Sequence, residues 1–184
     1  MERAIVQHGY LVTGDARELG INPDYLRRLT ALGKLEHRWR GVYRLVAMPV
    51  ADTDEYYEAV LWAGSGGAVV GESALALWGL ADVHPRQVEV AVVGGRPVQR
   101  SKPNGRVLVM TYPVDPDTLD EVDHIPVVRP QTAIAQAVAG GTDPEHVRQA
   151  ISAARGKGLL GEVAAARLLV ALVDQERTGQ LVAV

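Results

Sequence analysis

Glycines at positions 9, 20, 33 and 41 divide the first 41 residues into stretches of seven to twelve residues. Glycine readily takes the left-handed backbone conformation that ends a helix or closes a hairpin. Between such stops only short helices and tight strand pairs fit. "MERAIVQH" reads as a short helix ended by Gly9. After "YLV", Thr13 is expected to cap a helix over about 14–19, with Asp15 in its first turn and Gly20 as its stop. Ala16 stands where a capping box would place a glutamate. The next unit has a stronger signature: Asn22 as N-cap, Pro23 as first helical residue, and "DYLRRLTALG" running to Gly33. Leu26 and Leu29 share one face, with Leu32 near it. Tyr25, Arg27 and Arg28 lie elsewhere and are expected to meet solvent.

The stretch "KLEHRWRGVYRLV" follows at 34–46. "LEHRW" and "VYRLV" are rich in strand-forming residues, and Gly41 supplies the positive φ of a tight hairpin with Arg40 at its tip. Tyr43 and Leu45 are expected to pack on the helices and Arg44 to point outward. A helix, a helix-turn-helix and a hairpin in this order is the layout of a winged helix-turn-helix, whose second helix enters the major groove while the hairpin lies along the backbone. Asn22, Tyr25, Arg27 and Arg28 are then candidate groove contacts, and Lys34, Arg38, Arg40 and Arg44 candidate phosphate contacts. Taken alone, the hairpin reads equally well as a solvated surface of a protein-binding module.

Net charge is −3, which does not point to a nucleic-acid binder, but its distribution is uneven. Residues 1–48 hold eight Lys/Arg against five Asp/Glu, and residues 49–184 hold eleven against seventeen. A basic contact module joined to an acidic body gives this pattern, and so does fluctuation in small counts. "AMPVADTD" at 47–54 reads as a linker, dividing the chain into domains at 1–48 and 54–184. The second is expected to hold helices at 54–63 and 72–79, separated by a "GSGG" turn at 64–67. Strands are expected at 88–94, 106–112 and 125–130, an acidic loop at 115–123, and helices at 130–139, 144–155 and 161–177. The fold class expected is α+β: a winged helix-turn-helix, then a small mixed sheet with several helices.

Composition excludes several chemistries. There are no cysteines, hence no disulfides, thiolate metal sites or cysteine nucleophile. Phenylalanine is also absent, so the core must be built from Leu, Val, Ala and Ile with a few Trp and Tyr. No run of eighteen apolar residues occurs and the start lacks a signal-peptide pattern, so no membrane partner and a cytoplasmic location are expected. The acids Asp115, Asp117, Asp120, Glu121 and Asp123 lack the spacing and glycine of a calcium loop. "GSGG" lacks the lysine and Ser/Thr of a phosphate-binding loop. Glu72, the next acid after Ser65, has no acidic partner two residues on, as a nucleotidyltransferase would require. Glu89 is followed by Val90 and Ala91 rather than the x-Lys of a nuclease strand. Neither an enzyme nor a cofactor is expected.

Residues 9–45 resemble the N-terminal winged helix of the AbiEi family, antitoxins of bacterial type IV toxin–antitoxin systems. The features that agree in order are Thr13, Gly20-Ile21-Asn22, Leu26-Arg27-Arg28-Leu29, Leu32-Gly33-Lys34-Leu35 and Arg40-Gly41-Val42-Tyr43-Arg44. "GESALALWGL" at 71–80 and "IPVVRPQTAIAQAVAGG" at 125–141 are similar to later segments of such proteins, though both read as plain core as well. The resemblance implies a winged helix that binds the protein's own operator DNA and represses its operon, with possible homo-oligomers on DNA. It also implies a C-terminal domain that counters a nucleotidyltransferase-like toxin. The alternative is a winged-helix interaction module or regulator without a toxin partner.

Overall fold

A computed structural model describes residues 7–39, 41–94, 107–110 and 114–182. The chain is an α+β protein of two compact units, 1–57 and 58–184. The expected short helix over 1–8 lies almost wholly outside the described residues. The boundary differs from the expected linker at 47–54, because residues 46–57 are held to the first unit by contacts no composition change announces.

In the first unit, β1 (Tyr10–Val12) leads directly into α1 (Thr13–Glu18), a turn, and α2 (Pro23–Ala31). A hairpin of β2 (Leu35–Trp39) and β3 (Val42–Leu45) follows, and the antiparallel sheet has the order β1-β3-β2. Asn22 caps α2 as expected, its side chain accepting a hydrogen bond from the Asp24 amide at 2.9 Å. Gly33 ends the helix with φ of 68°. Thr13 does not cap α1. It is the first residue of that helix, and its amide donates to the Gly41 carbonyl at 2.8 Å, tying the helix start to the hairpin turn. Gly41 has φ of 80°, and a Cβ there would lie 2.7 Å from the Thr13 hydroxyl, so geometry and space both require glycine.

Leu11, Leu35, Tyr43 and Leu45 turn one face of the sheet toward the helices, where they meet Ala16, Leu26 and Leu29 in a small core. Leu32 is not part of it: it follows the last helical residue and is exposed. Alternation along β3 sends Arg44 to the opposite face, paired across the sheet with Tyr10. The expectation that Arg44 points into solvent is therefore corrected. Its guanidinium donates to the Asp54 carboxylate at 2.9 Å and to the carbonyls of Met48 at 3.2 Å and Pro49 at 2.8 Å. Both side chains of the ion pair are only 8% exposed. His8 approaches the same carboxylate at 3.4 Å and stacks on Tyr57. The fork of donors on arginine suits this closure of a loop end onto an acid.

The unit boundary falls within α3 (Asp54–Ala63). The second unit carries a five-stranded mixed sheet of order β6-β5-β4-β8-β7. Its strands are β4 (Gly67–Val69), β5 (Val88–Val92), β6 (Val107–Val109), β7 (Leu119–Val122) and β8 (Ile125–Val128). α4 (Gly71–Leu77), α5 (Pro130–Gly140), α6 (Pro144–Gly156) and α7 (Glu162–Val182) complete the unit. Its most buried side chains include Leu75, Val69, Val90, Ile125, Val127, Ile134, Val147 and Leu172, an aliphatic core as the missing phenylalanine requires.

Two strands depart from expectation. β4 begins inside the glycine turn. The "acidic loop" contains β7, which pairs with β8 through a two-residue turn at Asp123 and His124, both at positive φ, 48° and 60°. Only left-handed residues close such a hairpin, and Asp and His take that conformation more readily than most. The remaining helix starts follow their signals: Pro130 opens α5, and Asp143 caps α6 by accepting from the Glu145 amide at 2.8 Å.

Candidate nucleic-acid interface

α2 presents its polar side outward because its apolar residues fall at 26 and 29. Stepping about 100° per residue, Arg28 lies nearly opposite Leu26, with Arg27 and Tyr25 on either flank. Tyr25, 49% exposed, and the side chains of Asn22, Arg27 and Arg28 are all on the surface. Arg27 pairs with Asp24 at 2.9 Å, an exposed contact on the same helix. Such pairs are worth about 0–1 kcal/mol and yield readily to a phosphate. Arg28 makes no ion pair among the described residues.

On the hairpin, Lys34 and Arg38 are also at the surface. Lys34 makes no ion pair among the described residues, and Arg38 donates to Glu36 at 2.9 Å. Arg38 sits where the register slips between His37 and Trp39, so it stands out from the strand pairing. Arg40, the expected tip residue, lies outside the described residues. Of the hairpin cations expected to meet phosphate, Arg44 is removed by burial. Arg17, exposed in the last turn of α1, is a surface cation the sequence reading passed over. Its signal was its position just before the Gly20 turn that leads into α2.

The first unit is not basic overall. Residues 1–57 contain eight Lys/Arg and eight Asp/Glu, because Asp52, Asp54 and Glu55 join the first unit. With Asp54 sealed against Arg44, the basic character of this unit is a matter of local display rather than of total charge.

A second polar feature lies wholly in the second unit. A groove of about 630 Å³ is bordered by Glu72, Glu89, Met110, Thr132 and Gln136. Burial pushes the Glu89 carboxyl above the usual carboxylate range. The backbone amides of Glu72 and Ser73 oppose this, and the Glu72 carboxylate adds to it. Glu89 lies directly beneath Gly71, whose φ of 57° and missing Cβ make room for it. Its amide donates to the Ser73 hydroxyl at 2.9 Å, and the Gly71 amide donates to Gln136 at 3.0 Å. These contacts make Glu89 a prop under the start of α4. Among the described residues no group of three or more His, Asp or Glu is placed to hold a metal ion. No described helix is long and apolar enough to cross a membrane.

No family model matches the chain, and no curated protein does. Among solved structures it is similar to the Rv2827c protein from Mycobacterium tuberculosis, at 16% identity and a TM-score of 0.47. That match covers 90% of this chain and 71% of the other.

Proposed function

We propose that residues 7–57 form a winged helix-turn-helix that binds duplex DNA, and that the protein is an antitoxin of the AbiEi type repressing its own operon. The observation that carries the DNA half is the outward face of α2: Arg28 without an ion pair among the described residues, flanked by Arg27 and Tyr25, on a helix fixed by the Asn22 cap. A helix of this kind offers arginine to base edges and phosphates, with Lys34 and Arg38 positioned on the hairpin as backbone contacts. The antitoxin half rests on the resemblance of residues 9–45. It assigns residues 58–184 to countering a nucleotidyltransferase-like toxin, with no catalysis and no cofactor, in the cytoplasm.

The test is binding to the inverted repeats upstream of the protein's own gene, measured by fluorescence anisotropy over a salt series. The intact protein should bind specifically, and Arg28→Ala should weaken binding by about 1–3 kcal/mol. Failure of the wild-type protein to prefer that DNA at low salt removes the repressor half. Failure to restore growth against the product of the adjacent gene removes the antitoxin half.

A further inference from the structure

α7 is tied to its unit along one face, where Ala165, Leu168 and Leu172 are buried and Glu176 accepts from Arg148 of α6 at 2.7 Å. Its opposite face is apolar where solvent would favour charge. Val163 is 68% exposed, Val170 62% and Val173 42%, and Ala166 lies exposed between them. At about 100° per residue these four and Arg177 occupy a sector about 80° wide, directly away from the core. Two charges border the stripe on one flank, Arg167 and Asp174, both exposed and neither in an ion pair among the described residues. They are seven residues apart, about 10 Å along the helix, too far to satisfy each other easily.

We infer that this face of α7 pairs with the same face of a second copy of the chain, antiparallel, about a two-fold axis at Val170. Charge complementarity selects this occupant and this direction. With Val170 on the axis, residue 167 of one copy lies beside residues 173 and 174 of the other. Antiparallel helices bring like flanks together, so Arg167 meets Asp174 of the second copy, and symmetry makes the contact twice. The same pairing sets Arg177 opposite Val163 and next to Glu162 of the second copy, with the valines between. A single helix pair falls short of the ~800 Å² per partner of stable complexes, so the dimer is weak and concentration-dependent. The inference stands whether or not the first unit binds DNA.

Sedimentation equilibrium of the full chain, over about 1–500 µM to bracket a micromolar constant, should show a monomer–dimer equilibrium. Arg167→Glu and Asp174→Arg should each weaken it about tenfold or more, by turning two attractive contacts into repulsive ones. The double variant should recover it, which loss of folding cannot mimic. Because the chain has no cysteine, Val170→Cys gives a single thiol that should cross-link to its own copy on oxidation, whereas Val163→Cys should not. A monomer throughout the range overturns the inference. So does a dimer indifferent to both reversals, or one that cross-links through 163 rather than 170. Dimerisation that appears only with a co-purified partner chain on this face overturns it in favour of a heterologous contact.

Discussion

Arg44 shows how much one side chain's direction decides. In the sequence it is one of four cations in a basic hairpin. In the fold it is the buried partner of Asp54 and the donor to two loop carbonyls. A buried pair costs desolvation, so its net gain over an apolar alternative is small, but removing one partner strands the other charge. Arg44→Ala is therefore expected to destabilise the protein by about 3–5 kcal/mol in urea unfolding, and Asp54→Ala by a similar amount. A loss below about 1 kcal/mol for either would show that the site is open to water.

Glu89 makes the complementary case. Burial raises its folded pKa above the ordinary value near 4.5. Protonation therefore favours the folded state: the stability from this group is fully present below that ordinary value and is lost as pH rises through the raised one. Glu89→Gln, which removes the charge and keeps the shape, should raise Tm at pH 7.5, and the gain should shrink toward zero near pH 4. Calorimetry of the two proteins at both pH values decides it; an equal shift at both would point to packing rather than charge.

At the scale of the element, α2 combines a structural role with the proposed binding role in one residue. Asn22 caps the helix through the Asp24 amide and also stands at the end of the helix proposed to meet DNA. Asn22→Ala removes the cap and should cost about 1 kcal/mol. Asn22→Asp keeps an acceptor and adds a negative charge near the positive end of the helix dipole, so stability should hold while DNA binding falls. Thermal melts and anisotropy on the two variants separate the roles. If Asn22→Asp binds DNA as tightly as wild type, that end of α2 does not approach the phosphates.

Elements with their own start and stop signals were legible in advance. α2 with its Asn-Pro start and Gly33 stop, α6 with Asp143-Pro144, and the β2–β3 hairpin about Gly41 all stand within a residue or two of expectation. β7 was not legible, because its outward acids look like a solvated loop and its turn uses Asp123 and His124 instead of glycine. β4 was hidden for a different reason: three residues that begin on the last glycine of the turn have no periodicity to read.

For the whole molecule, DNA binding should show in the salt dependence. If six to ten phosphates are neutralised, affinity falls by about 10³–10⁵ between 50 and 200 mM salt. A contact set limited to α2 and the hairpin implies a shallower response. Replacing Lys34 with Ala should lower the slope of log affinity against log salt by about one, with little change in sequence preference. A slope that does not move would take Lys34 out of the phosphate contacts.

Local chemistry written in consecutive residues was enough to determine the α+β class, the aliphatic core, the capped helix that exposes Tyr25, Arg27 and Arg28, and the hairpin that follows it. Caps, glycine stops and alternation act over a few residues, and a few residues are what a sequence displays. Tertiary structure alone decided that Arg44 turns inward to Asp54, that residues 46–57 belong to the first unit, and that Glu89 sits beneath Gly71. It also decided which face of α7 is left bare. Each of these depends on which segments meet across a distance, and burial there sets the sign of a charged group's contribution.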